Sequence, residues 1–358
     1  MMRVAFWPRD SNPYQAQLAD GLRAHEVEVS YLGELTQSQT LNVLLLPAEL
    51  LTARLRGLKV VHLHWLYLFN LPIARGKRIT RRLARFWFAV VLGASRACGL
   101  RLVWTVHNVL PHAQIFDDDS LARVQLLRRC DAVIVHSTAT TADIESRGWQ
   151  LPSRTEVIPP ASLVAPPTIS RAQARAELGL SPDAYVVGLL GRIDRYKGAI
   201  DLIQAATEAQ PWVEKLNVVI AGRCSDGRLA DELRQLATRT SAEVRLELHE
   251  LTDEEFDTYL AALDVFAVPF RRVTTSGSVA TALAAGLTVL VPGHIALGEI
   301  PDELITRYQD LAVELRQQAR RQHSDIAAHR AHALAWAQSR GWYDVAAETA
   351  QLYRAAVQ

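Results

Sequence analysis

The chain has 358 residues, of which 49% are hydrophobic and 22% charged, and its formal net charge is +1. A chain of this length exceeds what a single hydrophobic core usually supports, so we expect two domains. The composition is ordinary for a folded soluble protein, and the balanced charge argues against a nucleic-acid partner.

Cysteine usage and the N-terminal segment indicate the compartment. Cys98, Cys130 and Cys224 follow no metal-ligand spacing, and a sparse, odd set of cysteines suits a reducing compartment. The first ten residues lack the basic-then-apolar pattern of a signal peptide. The longest apolar run, residues 86–92, is far shorter than the ~20 residues that span a bilayer. We therefore predict a cytoplasmic protein.

Short β-branched runs alternate with helix-length amphipathic stretches through most of the chain. This alternation predicts an α/β fold with parallel sheets. Consecutive prolines within residues 163–168 favour extended chain, so we place the domain boundary there. The predicted strands of the first half are 4–7, 27–31, 43–46, 60–64, 101–106, 132–136 and 156–158. Those of the second half are 185–190, 217–221, 244–249, 265–269 and 288–291.

Several residues of the first half that can take up a proton lie where strands end. Asp10 follows the first strand, and His107 and His112 follow the strand at 101–106. Ligands of open α/β sheets collect beyond the carboxyl ends of the strands, and histidine titrates near neutrality. These three residues are candidate general bases. Two alternatives stay open: His107 as a structural or ligand-contacting histidine, and Asp10 as the organiser of a turn.

Aromatic and polar residues accompany these candidates. His64 ends the strand at 60–64 and Trp65 follows it, while Asn12 and Tyr14 lie at the start of the first predicted helix. Rings at such positions can stack on a sugar or flank an acceptor substrate, and they can equally belong to the core.

Residues 75–92 carry six basic side chains and no acidic one. Ile79, Leu83, Phe86 and Val90 recur among them at helical spacing. The pattern predicts a basic amphipathic helix of the type that settles at an anionic membrane surface. A domain helix with a buried apolar stripe and a solvated basic face explains it equally well.

Three consecutive acids, Asp117, Asp118 and Asp119, precede a predicted helix at 120–129. A carboxylate pair can hold a metal, but acids are also favoured at the first turn of a helix. We interpret this triplet as structural and predict no metal site.

In the second half, the strand at 185–190 runs into the loop Gly191-Arg-Ile-Asp-Arg-Tyr-Lys-Gly198, which a predicted helix follows. Arg192 and Lys197 therefore lie in a strand-to-helix loop, where cations can reach a diphosphate. On its own the loop is equally consistent with two solvated cations.

A hydroxyl-rich helix start forms the second signal. Thr275, Ser276, Gly277 and Ser278 come shortly after the strand at 265–269 and before an apolar helical stretch. Gly277 permits close backbone approach, and a helix start presents free N–H groups to an anion. The segment alone predicts an ordinary capped helix, since Ser and Thr are favoured N-caps. Together with the basic loop it favours a phosphate site.

The loop residues Gly191-Arg192 and Lys197-Gly198 resemble the GR…KG signature of glycosyltransferase family 4 and its GT-B relatives. The resemblance implies two Rossmann-like domains facing each other across a cleft, with Arg192 and Lys197 on the donor diphosphate. It also implies that His107 contacts the donor sugar. Family 4 carries two glutamates eight residues apart, where this chain has Val273 and Thr281. The departure argues against the retaining chemistry of that family.

Five short segments, in the same order along the chain, resemble the xanthan-type β-mannosyltransferases. These are inverting GT-B enzymes that use GDP-mannose on a lipid-linked saccharide, so the resemblance implies that donor and that class of acceptor. The segments are Asn12-Pro-Tyr-Gln-Ala-Gln-Leu18, His62-Leu-His-Trp65, Thr105-Val-His-Asn-Val-Leu-Pro-His112, Tyr196-Lys-Gly198 and Ser276-Gly-Ser278.

The resemblance assigns roles to the predicted domains. Residues 1–165 form the acceptor-binding domain, residues 166–335 form the donor-binding domain, and residues 336–358 form a C-terminal helix that packs back toward the first domain. We expect the nucleotide base near His249, and Asn12, Tyr14, His64, Trp65 and His112 around the acceptor. The nucleotide sugar is a co-substrate, and we predict neither a cofactor nor a metal.

The leading hypothesis is an inverting hexosyltransferase of polysaccharide or glycolipid synthesis. Its base is Asp10 or His107, because inversion requires a group that deprotonates the acceptor hydroxyl. The alternatives are a UDP-sugar-dependent retaining enzyme, a sugar-nucleotide epimerase of the same fold, and a non-catalytic sugar- or lipid-binding protein. A lipid-linked acceptor would give residues 75–92 a role at the inner face of the cell membrane.

Overall fold

The computed structural model describes residues 1–10, 13–70, 78–111, 114–161, 166–271, 277–295, 297, 300–321, 323–339 and 341–358. The chain divides into two compact units. Unit 1 comprises Met1–Ala161 together with Gly341–Gln358, and unit 2 comprises Ser162–Arg340.

Unit 1 contains a six-stranded sheet, sheet A, whose paired strands are all parallel. Its strands are β1 (Met2–Trp7), β2 (Val27–Tyr31), β3 (Leu58–Leu63), β4 (Arg101–Val106), β5 (Ala132–Val135) and β6 (Thr155–Val157). Their order across the sheet is β2-β1-β3-β4-β5-β6. The helices between them are α1 (Pro13–Arg23), α2 (Gln39–Leu55), α3 (Arg78–Ala97), α4 (Asp119–Leu127) and α5 (Thr138–Ser146).

Unit 2 repeats this plan with sheet B, which is also six-stranded and parallel. Its strands are β7 (Tyr185–Leu190), β8 (Leu216–Ala221), β9 (Glu243–Glu247), β10 (Val265–Ala267), β11 (Thr288–Pro292) and β12 (Ile305–Tyr308), in the order β12-β11-β10-β7-β8-β9. Its helices are α6 (Arg171–Glu177), α7 (Ala199–Ala209), α8 (Gly227–Arg239), α9 (Asp253–Ala262), α10 (Gly277–Ala284), α11 (Leu311–Gln318) and α12 (His323–Gln338). Two parallel sheets, each within a Rossmann-like domain, match the predicted fold class.

The last helix, α13 (Trp342–Val357), belongs to unit 1. It packs closely on α1, since a Cβ at Gly21 would lie 2.8 Å from the Cβ of Ala346. Tyr353 is fully buried, and its hydroxyl lies 2.5 Å from Nδ1 of His62 on β3. The C-terminal helix is therefore part of the core beneath sheet A.

One predicted strand is wrong and one strand was not predicted. Residues 43–46 lie inside α2, because Val43, Leu46 and Leu50 recur at helical spacing and form its buried face. A short continuous apolar run does not by itself distinguish a buried strand from a helix segment. The strand missed by the sequence analysis is β12, at the edge of sheet B.

Candidate functional site

The basic loop after β7 is held against the end of β10 by a glycine. Gly198 has φ of +74°, and a Cβ there would lie 2.2 Å from the carbonyl oxygen of Pro269. Only glycine tolerates both the left-handed backbone and this approach. The backbone N–H of Arg271 donates to the carbonyl of Tyr196 at 2.9 Å and closes the same junction. The loop therefore lies beside the chain that leads toward α10.

Lys197 is the buried cation of this junction. It is 5% exposed, and its Nζ donates to Oγ of Ser278, in the first turn of α10, at 3.1 Å. Burial lowers the pKa of Lys197 to about 8; nearby Asp194 opposes this shift and Arg192 adds to it. Two residues predicted from separate segments, Lys197 and Ser278, are thus in direct contact.

Arg192 occupies a different environment. Its side chain is 59% exposed, and its Nε donates to a carboxylate oxygen of Asp194 at 2.6 Å. The neighbouring Ile193 is fully buried and anchors the loop. The two predicted diphosphate cations therefore differ, since one is buried beside a hydroxyl and the other is solvated beside an acid.

The hydroxyl-rich helix start is described from Gly277 onward; Thr275 and Ser276 lie outside the described residues. Gly277 is exposed and Ser278 half-buried at the beginning of α10. Thr281, in the position of a family 4 glutamate, is 5% exposed within that helix. It carries no charge and faces the interior.

The loop after β8 touches the loop after β7. Gly222 has φ of +136°, and a Cβ there would lie 2.1 Å from the carbonyl oxygen of Gly191. His249 follows the edge strand β9, is exposed, and lies 3.6 Å from an oxygen of Glu255. His249 thus shares the carboxyl edge of sheet B with the basic loop, three strands from α10 along the sheet.

Two cavities of unit 2 lie at opposite ends of sheet B. One of about 450 Å³ is lined by residues that follow β10, β11 and β12, including Phe270, Arg271 and His294. The other, of about 950 Å³, is lined by residues at the amino ends of strands, including Tyr185 and Thr288. The smaller cavity shares the carboxyl edge with Lys197, where parallel sheets bind their ligands.

In unit 1, three histidines that follow neighbouring strands of sheet A form a hydrogen-bonded line, which we call the histidine row. Nδ1 of His64 lies 3.2 Å from Nε2 of His107, and Nδ1 of His107 lies 3.3 Å from Nε2 of His136. Nδ1 of His136 lies 2.9 Å from the carbonyl oxygen of Ile158. The row therefore crosses the carboxyl ends of β3, β4 and β5.

Aromatic rings enclose the histidine row. Trp65 stacks on His107 with a centroid separation of 4.3 Å and an interplanar angle of 12°. Tyr14 is buried and presents its ring to His64, His107 and His136 at 4.9 to 5.9 Å. The structure thus brings together four of the residues predicted in the first half: Tyr14, His64, Trp65 and His107.

Desolvation disfavours the charged form of His64 and His107. The pKa values of His64 and His107 are well below the ordinary value, chiefly through desolvation and further through neighbouring histidines. Burial lowers the pKa of His62 to about 3. Since both ring nitrogens of His107 face other histidines, the arrangement favours a positioning role for His107 over that of a general base.

His62 and His136 were not predicted as site residues. Nε2 of His62 lies 2.7 Å from the hydroxyl of Thr105 on β4, which makes this histidine a buried structural partner. His136 follows β5 directly. The available signal was positional, because three of the predicted strands, 60–64, 101–106 and 132–136, each end at or next to a histidine.

Asp10 follows β1 and is half-buried. Its backbone N–H donates to the side-chain oxygen of Gln15 at 2.9 Å, and the Gln15 amide donates to the carbonyl of Pro8 at 2.7 Å. Burial raises the pKa of Tyr67, and a hydrogen bond with Asp10 raises it further. Asp10 therefore lies in an organised turn at the carboxyl edge of sheet A. Asn12 and His112 lie outside the described residues.

The acidic triplet is occupied by structural contacts. Asp118 caps α4 by accepting from the backbone N–H of Leu121 at 2.8 Å. Asp117 pairs with Arg85 of α3 at 2.7 Å, and Asp119 accepts from the backbone N–H of Phe116 at 3.0 Å. In the part of the chain that the structure describes, no group of three or more His, Cys, Asp or Glu side chains is arranged to hold a metal ion.

The basic helix predicted over residues 75–92 is described from Arg78 onward as α3. Its buried face is Ala84, Phe88, Val91 and Leu92. Three residues of the predicted stripe instead face solvent, with Ile79 at 75% and Phe86 at 66% exposure and Leu83 also exposed, while Val90 is half-buried. None of the helices in the described ranges has both the length and the apolar character of a membrane span.

The neighbouring helix α2 adds exposed apolar side chains. Nε1 of Trp87 on α3 donates to the carbonyl of Val43 on α2 at 2.8 Å, so the two helices pack together. The exposed large apolar residues of α2 are Leu41, Leu44, Leu45, Leu51 and Leu55. Both helices therefore present apolar side chains to solvent.

Comparison with known proteins assigns each half of the chain to a family. Residues 13–161 match the model described as Glycosyltransferase Family 4, and residues 184–321 match that described as Glycosyl transferases group 1. The first match covers α1 through the end of sheet A, and the second covers sheet B.

Curated relatives include D-inositol 3-phosphate glycosyltransferases of several species. The protein of Rhodococcus jostii (strain RHA1) is 28% identical over 60% of this chain and 51% of its own length. That of Kineococcus radiotolerans is 30% identical over 65% and 59%, respectively. The chain thus spans little more than half the length of these two relatives.

Solved structures share the fold over nearly the whole chain. Anabaena Alr3699/HepE in complex with UDP and glucose superimposes with a TM-score of 0.69 at 17% identity, covering 98% of this chain and 99% of that one. Sucrose-phosphate synthase from Thermosynechococcus elongatus gives 0.73 at 19% identity, covering 99% and 98%. Residues 13–161 are therefore a domain of Glycosyltransferase Family 4 and residues 184–321 a domain of Glycosyl transferases group 1, within a two-domain α/β chain that has the GT-B fold.

Proposed function

We propose that the protein transfers a glycosyl group from a nucleotide diphosphate sugar to a hydroxyl acceptor, with Lys197 on the donor diphosphate. The observation that carries the proposal is the placement of Lys197, buried against Ser278 where β7 and β10 end. The loop and helix start that supply these residues belong to the segment that matches the group 1 model.

A buried ammonium needs a compensating charge, because burial of an isolated cation is costly. Among the described residues, no carboxylate forms an ion pair with Lys197, and the hydroxyl of Ser278 is its hydrogen-bond partner. A diphosphate at the start of α10 would supply that charge and would also meet the free N–H groups of the helix. As the nucleotide leaves, the same groups stabilise the charge that develops on it.

Arg192 supports the proposal as a second cation of the same loop. In this structure it is paired with Asp194 and solvated. Its planar fork suits bidentate contact with phosphate oxygens. We infer that Arg192 leaves Asp194 for the diphosphate when the donor binds.

The choice of donor rests on two different observations. The resemblance to xanthan-type enzymes favours GDP-mannose and a lipid-linked saccharide as acceptor. The solved structures with the same fold favour UDP-sugars, since Alr3699/HepE is described with UDP and glucose. The curated relatives, named D-inositol 3-phosphate glycosyltransferases, favour a phosphorylated polyol as acceptor in a second candidate function.

The exposed faces of α2 and α3 support a lipid-linked acceptor. Ile79, Leu83 and Phe86 are exposed beside Arg78 and Arg82, which are exposed as well. A helix with bulky apolar and basic side chains on its outer face settles in an anionic lipid surface. We propose peripheral attachment through this face, with no cofactor besides the nucleotide sugar.

The test is incubation of the protein with labelled GDP-mannose, UDP-glucose and UDP-glucuronate, each with membrane lipid extract and, separately, with inositol phosphate. Transfer of label to lipid supports the leading proposal, and transfer to inositol phosphate supports the second candidate. Conversion of the free donor to another sugar nucleotide indicates an epimerase. Binding of a donor without any turnover indicates a non-catalytic protein.

A further inference from the structure

The hydrogen bonds of the histidine row run in one direction, which the contact of His136 with Ile158 fixes. The carbonyl oxygen of Ile158 only accepts hydrogen bonds, so the proton of His136 must lie on Nδ1, 2.9 Å away. A neutral imidazole has one N–H and one lone pair. Nε2 of His136 is then the acceptor for Nδ1–H of His107.

The same reasoning applies to His107 and then to His64. Since His107 carries its proton on Nδ1, its Nε2 is a lone pair that accepts from Nδ1–H of His64. His64 then carries its own lone pair on Nε2. This assignment holds for neutral rings, and burial keeps the pKa values of His64 and His107 well below the ordinary value.

Nε2 of His64 ends the row without a partner. The atom is buried, and no described residue donates a hydrogen bond to it. Besides that of His107, the nearest rings are those of Phe6, His62 and Trp65, with centroids 4.1 to 5.6 Å from that of His64. An unsatisfied buried acceptor is rare in native structures and costs roughly 1–3 kcal/mol.

We propose that His136 is a positioning residue, which fixes both His107 and His64 as Nδ1–H tautomers through its bond to Ile158. The row then leaves one lone pair without a partner among the described residues, on Nε2 of His64, while both nitrogens of His107 are engaged. Orientation of an imidazole by the partner of its other nitrogen is a general device of histidine sites.

The meaning of this arrangement for catalysis rests on the proposed glycosyl transfer. His107, stacked under Trp65, offers a ring of fixed orientation toward a bound sugar and holds no free lone pair for the acceptor proton. The proton-accepting role predicted for His107 would therefore require the row to break.

The test is histidine tautomer assignment by two-bond ¹H–¹⁵N correlation on the full chain with ¹⁵N-labelled histidine near neutral pH. We expect His64 and His107 to carry their protons on Nδ1. Wild-type spectra with Nε2–H at both rings overturn the proposal without any variant, because that pattern requires the reverse direction. The experiment uses no substrate, so its outcome does not depend on the glycosyltransferase assignment.

Two variants of His136 separate positioning from packing. His136→Leu removes the acceptor for His107, so we expect Nε2–H signals to appear at both remaining rings. His136→Gln retains a side-chain oxygen that can accept from Nδ1–H of His107, and we expect it to restore the wild-type tautomer pattern. Unchanged Nδ1–H signals in a folded His136→Leu protein would contradict the role given to His136. If that variant does not fold, the spectra of the wild type and of His136→Gln test the proposed tautomers.

Discussion

Nζ of Lys197 donates to Oγ of Ser278 across 3.1 Å, and this bond joins the loop after β7 to the first turn of α10. The two residues are 81 positions apart in the chain and meet because β7 and β10 are neighbours in sheet B. The contact makes Lys197 the most constrained cation of the proposed donor site.

Replacement of Lys197 by alanine should abolish most of the activity. The ammonium lies where the leaving diphosphate would gain charge, and loss of one such group costs roughly a hundredfold or more in turnover. We expect that decrease for Lys197→Ala in the labelled-donor transfer assay, with the fold retained. Near-normal rates would place the donor site elsewhere.

Arg195 provides a matched control in the same loop. Its guanidinium is exposed and pairs with Asp226 and Glu232 at 3.0 and 2.8 Å. Exposed ion pairs contribute little to stability. We therefore expect Arg195→Ala to keep near wild-type turnover, so that loss in Lys197→Ala alone reports on the diphosphate.

Nucleotide binding should take up a proton at alkaline pH. Burial lowers the pKa of Lys197 to about 8, so the ammonium is charged below this pH and loses its proton above it. A diphosphate beside Nζ stabilises the charged form and raises the pKa. At pH values between about 8 and the raised pKa of Lys197, binding of UDP or GDP is accompanied by uptake of a proton, and the affinity for the nucleotide falls as the pH rises. Calorimetric titration at about pH 9 in buffers of different ionisation enthalpy measures this uptake.

The corresponding control is Lys197→Met, which keeps the buried stem and removes the titrating group. We expect nucleotide binding by this variant to be weaker and independent of the buffer. Buffer-independent binding by the wild-type protein at about pH 9 would show that Lys197 does not face the diphosphate.

Membrane attachment should depend on the exposed face of α3. Each basic residue near an anionic surface contributes about 1 kcal/mol, so reversal of Arg78 and Arg82 to glutamate should weaken binding at least roughly tenfold. Co-sedimentation with phosphatidylglycerol-containing vesicles measures the effect. Arg85 is left unchanged because it pairs with Asp117 at 2.7 Å in a partly buried contact.

The matched control for charge is the double reversal of Arg228 and Arg239, which are exposed on α8 of unit 2. It changes the net charge equally and should leave vesicle binding as in the wild type. Equal loss in both double variants would indicate a nonspecific effect of charge. A wild-type protein that never binds the vesicles would exclude the proposed attachment.

The sheets could be predicted from sequence because parallel strands buried on both faces are continuous apolar runs between turn residues. The same rule failed at residues 43–46, because this apolar run is part of the helix α2, whose buried residues recur at helical spacing. It missed β12, whose sequence Ile-Thr-Arg-Tyr mixes polar and apolar residues at a sheet edge.

Lys197 and Ser278, predicted from two motifs that each follow a strand, are in contact in the structure. The difference between the two cations of one loop was not predictable. Arg192 is exposed and pairs with Asp194, whereas Lys197 is buried and bonds to Ser278 of α10. The role of His136 was equally hidden, because it depends on the carbonyl of Ile158, a backbone group.

The stereochemical prediction follows from Thr281, within α10. Thr281 is buried and uncharged in the place of a family 4 glutamate, which removes one reason to expect retention. Inversion requires a base for the acceptor hydroxyl. Both nitrogens of His107 are engaged, so Asp10, half-buried at the carboxyl edge of sheet A, is the candidate we favour.

We therefore expect an α-configured donor to give a β-linked product, identified by its anomeric coupling in the NMR spectrum or by cleavage with a β-specific glycosidase. Asp10→Asn should lower turnover by roughly a hundredfold or more, the range of general-base catalysis, with donor affinity unchanged. The exposed Asp20 of α1 offers the control, and Asp20→Asn should behave as the wild type. An α-linked product would exclude inversion and leave the diphosphate site intact, since Lys197 acts on the leaving group in either course. A β-linked product with an unimpaired Asp10→Asn enzyme would keep inversion and require another base.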